Sequence, residues 1–150
     1  INEDGTLSSV SGFGVAAASS GTVTRLDGVY EPFRIVFTMA ELKTAVADTS
    51  VATVVLAQDI APQPSEGPLQ VSRPVSLAGA CPSDWGTCTI DGNAIQPQRI
   101  IIAYQGATLN LVNLKFTRGR TTQSGGAILA NSDVTARNVT FLLNKCGWSG

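Results

Sequence analysis

The side chains that could carry chemistry in this 150-residue chain are few and scattered. There is no histidine, which removes imidazole acid–base catalysis, histidine-ligated zinc and any serine or cysteine nucleophile activated by histidine. Catalysis would have to run on Asp, Glu, Arg, Lys or Tyr. The carboxylates Asp59, Glu66, Asp84, Asp91 and Asp133 lie on different segments, none two residues from another. They do not converge as a hard cation requires, nor do they offer an acid and a base at glycosidase spacing. No catalytic residue, metal ligand or cofactor-binding residue is therefore assigned. Asp91 opens an Asp-Gly-Asn turn, where its carboxylate can cap its own backbone. Of the cations Arg99, Arg118, Arg120 and Arg137, the two that flank Gly119 could grip a uronate carboxylate in bidentate fashion. Their plainer reading is a solvated loop. Trp85, Tyr104 and Trp148 could stack on sugars, although single aromatics of this kind more often pack on the protein surface. Arg118, Arg120 and Trp85 are the candidate carbohydrate contacts.

Three cysteines add covalent chemistry. Cys81 and Cys88 bracket "PSDWGT", a loop rich in turn formers, and a local disulfide is expected there. Free thiols in a reducing compartment are the alternative. Two cysteines without histidine make a poor metal site. Cys146 is left over. Asn138-Val139-Thr140 is an N-glycosylation sequon, so Asn138 is a candidate for modification unless it is buried.

Elements that would position these residues can be read from periodicity. Hydrophobic residues make up 43% of the chain and the net charge is −1. That is enough for one folded domain, and it leaves no electrostatic footprint for nucleic acid or an anionic membrane. No apolar run approaches the roughly 20 residues of a spanning helix, so no membrane insertion is expected. Residues 1–35 read as an irregular N-terminal arm or linker. "TMAELKTAVAD" predicts one short amphipathic helix, with a Thr38/Glu41 capping box and an apolar stripe of Met39, Leu42, Ala45 and Val46. Strand-like runs follow at 52–60, 69–80, 87–93 and 99–106.

Two further runs are near copies. "TLNLVNLKF" (108–116) matches the second half of "SGGAILANSDVTARNVTF" (124–141) at a constant offset of 25 residues. Leu109 meets Val134, Leu111 meets Ala136, Leu114 meets Val139, Phe116 meets Phe141 and Asn113 meets Asn138. Ser124 and Gly125 likewise meet Ser149 and Gly150. Repeats of this length without an intervening helix predict stacked strand-turn-strand coils. The apolar pairs would stack inward, and Asn113 and Asn138 would form an Asn ladder at a bend. The expected fold is all-β: a right-handed parallel β-helix, a solenoid of coils of about 25 residues over 36–150 that continues beyond residue 150, with the helix as an N-terminal cap.

The stretch "TIDGN" followed by "IIIAYQGATLNLVNLKFTRGRTTQSGGAIL" resembles the right-handed parallel β-helix of pectin-lyase-like proteins. It is most similar to surface proteins with Gly-Gly-Ala-Ile repeats, such as the polymorphic outer-membrane type. Leu42, Val55, Leu56, Pro74, Val75, Leu77, Gly79, Ile90, Asp91 and Gly92 follow that family's order, and the resemblance covers about residues 36–150. The resemblance implies a fold and an extracellular setting; it is weak on function, since such architectures host lyases, hydrolases, adhesins and passive fibres.

Three functions follow as expectations. The first is a non-catalytic structural or adhesive module, secreted or on the cell surface, that stacks with other protein chains or with further coils of its own chain. The second is a carbohydrate-binding module with polysaccharide as its partner. The third is a polysaccharide lyase whose active site lies in coils outside this segment, because the acidic cluster and nearby Arg of such enzymes are missing here. The first accounts for every feature above.

Overall fold

The computed structural model describes residues 20–24, 30–82, 85–94 and 99–147. The one helix, α1 (Met39–Ala47), begins where its sequence dictates. Thr38 accepts a hydrogen bond from the Glu41 N–H, and the Glu41 carboxylate accepts from the N–H groups of Thr38 and Phe37. The first-turn donors that a helix leaves unpaired are thereby satisfied. Met39, Leu42, Ala45 and Val46 are buried. At the other end Arg73, far along the chain, donates to the carbonyls of Ala45, Val46 and Asp48, closing the last turn.

Among the described residues twelve strands accompany this helix: β1 (Ser20–Thr24), β2 (Tyr30–Val36), β3 (Thr53–Leu56), β4 (Leu69–Val71), β5 (Val75–Gly79), β6 (Cys88–Asp91), β7 (Ile101–Ala103), β8 (Thr108–Thr117), β9 (Arg120–Thr121), β10 (Ile128–Ala130), β11 (Asp133–Leu142) and β12 (Lys145–Cys146). The principal sheet has the order β1-β2-β3-β5-β8-β11, with β6 also paired to β8. A second sheet runs β10-β7-β4, and β12 pairs with β9. All these pairings are parallel except β1 with β2. The main apolar core joins the buried face of α1, which packs on β2, β3 and β4, to the inward side chains of the sheets, and includes Leu42, Leu56, Leu77, Ile101, Leu114 and Phe116.

These pairings correct the expected fold. The chain is not a uniform all-β right-handed parallel β-helix of 25-residue coils, and no regular solenoid forms: strand makes up 49% and helix 8% of the described residues, and the principal sheet is mixed. Three causes are visible. β1 runs antiparallel to β2 along one edge. The layers are unevenly spaced in sequence: Phe33 pairs with Thr53, Thr53 with Ser76, Val75 with Leu109 and Leu109 with Val134, offsets of 20, 23, 34 and 25 residues. And the run 69–80 is cut at Pro74, so β4 and β5 belong to different sheets; proline has no N–H for a ladder and fits only where a strand starts. β1 and β2 also fall within or across the end of the stretch read as an irregular arm; residues 1–19 and 25–29 lie outside the described residues.

The near copies do pair as β8 and β11, with Leu109 opposite Val134 and Phe116 opposite Phe141. Along β8 the buried residues are Leu109 and Leu111, then Leu114, Phe116 and, at the strand end, Thr117. Strict alternation would have put 113 inside. Asn113, at φ 53°, shifts the phase by one residue and turns a corner; Asn tolerates this left-handed backbone better than most side chains. One layer down, the same corner is made differently. β5 pairs with the first half of β8 and β6 with the second half, and the Cys81–Cys88 loop lies between them.

Candidate functional site

The corner beneath Asn113 is held covalently. Cys81 and Cys88 form a disulfide, with their Cα atoms 5.1 Å apart, and both residues are buried. Closing so short a loop removes unfolded-state entropy of about 2–3 kcal/mol. Gly79 ends β5 where no side chain fits: a Cβ there would stand 2.1 Å from the Asn113 carbonyl oxygen. Trp85, on the same loop, is 99% exposed. Asp84, beside it in sequence, lies outside the described residues, as does Trp148.

Above this corner the polar side chains form columns between layers. Asn138 Nδ2 donates to Asn113 Oδ1 over 3.0 Å. Both asparagines are left-handed, each at φ 53°. In a second column Asn110 Nδ2 donates to Ser76 Oγ over 3.4 Å, and the Thr135 hydroxyl donates to Asn110 Oδ1. The Phe116 and Phe141 rings stack with centroids 5.4 Å apart. The sequence pointed to the Asn and Phe columns through the 25-residue match. It missed the Ser76–Asn110–Thr135 column, because the step from 76 to 110 has a different length. Asn138 is exposed, so a glycan at the sequon would attach to the ladder nitrogen itself and stand on the outer edge of β11.

Further along, Asn93, Arg118 and Leu143 repeat a left-handed residue every 25 positions, at φ 53°, 55° and 58°. Here the arginine read as a carbohydrate contact has an internal partner. Arg118 grips the Asp91 carboxylate with Nε at 2.8 Å and with Nη2. Asp91 also accepts from the Asn93 N–H, the self-capping turn that its Asp-Gly-Asn setting predicts. The hydrogen bond from Arg118 is the chief cause that holds the Asp91 carboxyl below its ordinary value, against the opposing effect of burial. The same bond raises Arg118. Arg120, on β9, is half-buried and two residues away in sequence. Asn144 adds a staple that sequence reading missed: its Oδ1 accepts from the Gly119 N–H and its Nδ2 donates to the Phe116 carbonyl.

Carboxylates elsewhere hold backbone too. Asp59 accepts from the Thr89 N–H, Glu66 from the Gln63 N–H, and Asp48 from the N–H and hydroxyl of Ser50. The Ser50 hydroxyl is the main reason the Asp48 carboxyl lies below its ordinary value. A cleft of about 420 Å³ beside the start of α1 is lined by residues such as Phe37, Gln58, Asp59 and Glu66. Its acids are the ones already bound to backbone donors. Among the described residues no three His, Cys, Asp or Glu side chains are grouped to hold a metal ion, and no helix is long and apolar enough to cross a membrane. Cys146 is an exposed free thiol on β12.

The surface that stands out is β11 itself. Among the described residues it pairs along one edge only, with β8. Val134 and Phe141 keep the positions of their buried β8 counterparts but are open, 38% and 52% exposed where Leu109 and Phe116 are at 0%, while Val139 is partly buried against the core. Comparison of the chain with protein-family models, with curated proteins and with solved structures finds no match.

Proposed function

We propose that the protein is a non-catalytic structural module of a secreted or cell-surface protein that assembles with other protein chains. The observation that carries this reading is β11, a ten-residue strand whose outer edge has no partner among the described residues and whose Val134 and Phe141 side chains are half-exposed. Long, open, apolar edges recruit strands from other chains unless they are blunted. The uses of the described side chains agree with a structural role, since the carboxylates Glu41, Asp48, Asp59, Glu66 and Asp91 each hold backbone groups. The buried disulfide supports the oxidising setting. Sedimentation of the purified protein across a concentration series tests the reading. A mass above the 15.5 kDa of one chain, rising with concentration or with added partner extract fractions, is the expected result. A single 15.5 kDa species in every condition overturns it.

A carbohydrate-binding role is the second reading, and one observation favours it: Trp85 presents its whole ring to solvent from a loop that a disulfide anchors. An indole so exposed offers an apolar face on which a sugar ring can stack. Retention on polyuronate resin that disappears in Trp85→Ala would establish it.

A further inference from the structure

We infer that β11 accepts a strand of a partner chain in parallel and in register, and that the side chains of β11 specify what that strand must carry. The inference rests on the assembly reading and narrows it to one geometry.

The polar columns have a direction. Asn138 donates inward to Asn113, and Thr135 donates inward to Asn110, which in turn donates to Ser76. Thr135 spends its one hydroxyl proton, and Asn138 one of its two amide protons, on the layer beneath. The acceptors left for the outer edge are Oδ1 of Asn138 and the lone pairs of the Thr135 hydroxyl. An incoming strand must bring donors to both places, an amide opposite Asn138 and an amide or hydroxyl opposite Thr135. It must also cover Val134 with an apolar side chain and Phe141 with a ring, as β11 itself covers Leu109 and Phe116.

The bend selects the direction of the strand. Asn138 turns β11 with the same φ of 53° that Asn113 gives β8. A parallel strand bending at the matching residue follows this path throughout, as β11 follows β8. An antiparallel strand of the same pattern would match the apolar positions, whose spacing reads the same in both directions, but would set its own left-handed residue one place away from Asn138 and leave the Asn column without its next member. This also disfavours a second copy of the same edge, because two β11 strands meeting about a two-fold axis are antiparallel. The continuity of the β8–β11 interface thus argues for a partner strand patterned like β8 and β11, supplied by strand addition.

A synthetic peptide with the sequence of residues 133–146 is the probe. Its affinity for the intact protein is read by fluorescence anisotropy with the peptide cysteine replaced by serine, so that no reductant is needed and the Cys81–Cys88 bridge stays closed. The peptide should bind, and peptides with Ala at the position matching Asn138 or Phe141 should bind about tenfold more weakly, the equivalent of about 1.4 kcal/mol. Register is read separately through Cys146. In-register stacking brings the terminal peptide cysteine to a strand spacing of about 4.8 Å from Cys146, within disulfide reach. Oxidation should then cross-link this peptide, but not one whose only cysteine is at its N-terminus. Preferential cross-linking of the N-terminal cysteine, equal binding of a reversed-sequence peptide, or no binding at all overturns the inference. Failure of the broader reading looks different: a protein that stays a single chain in sedimentation with every partner fraction. Self-association that the peptide does not compete leaves assembly standing and removes the parallel strand.

Discussion

Asp91 shows how one residue reads differently alone and in place. In the chain it belongs to a turn; in the fold it also receives Arg118 from 27 positions further on. The pairing makes a pH prediction. Because the hydrogen bond from Arg118 holds the Asp91 carboxyl below its ordinary value near 3.8, the folded protein binds this proton less readily than the unfolded chain does. The stabilisation is complete above about pH 4 and is lost as pH falls through the lower, folded value. Melting temperature against pH should therefore fall more steeply below about pH 4 for the native protein than for Asp91→Asn. Superimposable profiles would mean that the pair contributes nothing. Both side chains are partly exposed, so salt should reduce the effect.

At the scale of elements, the corner is the feature that explains the layers. In β8 it is made by Asn113 within one continuous strand; in the layer below it is made by Gly79, a disulfide loop and a new strand. The two solutions touch where Gly79 lies under the Asn113 carbonyl. Gly79→Ala should lower stability to urea by about 3 kcal/mol, because the contact is with backbone and no flexible side chain can move aside. An unchanged midpoint would show that the layers do not meet there. Arg73 is the other connection of this kind: it ties the end of α1 to the start of β5 through carbonyl oxygens of both segments.

For the whole molecule, the arrangement of layers sets a gradient of protection. β8 is bonded on both edges and its inward side chains are fully covered, whereas β11 is bonded on one edge and nearly all of its residues are exposed. Opening free energies follow buried contacts and shielded hydrogen bonds. Amide hydrogen exchange should be slowest in β5 and β8 and clearly faster in β11 and β12, and a bound partner strand should slow β11 selectively. Uniform exchange across β8 and β11 would contradict the gradient and weaken the case for β11 as the assembling edge.

What the sequence determined by itself is local or strictly repeated. The capping box at Thr38 and Glu41 needs residues three apart, the Cys81–Cys88 bridge closes a short loop, and the β8–β11 register follows from identical spacing in two neighbouring runs. Each rests on geometry that the chain carries wherever it goes. Tertiary structure decided the rest, because it depends on which segments meet. The antiparallel β1–β2 pair, the unequal steps between layers, the Arg118–Asp91 and Arg73–α1 contacts and the donor direction of the Ser76–Asn110–Thr135 column join residues at no constant separation. A repeat seen once predicts its own next layer. It cannot predict layers of other lengths, since loop length costs little free energy and is free to vary.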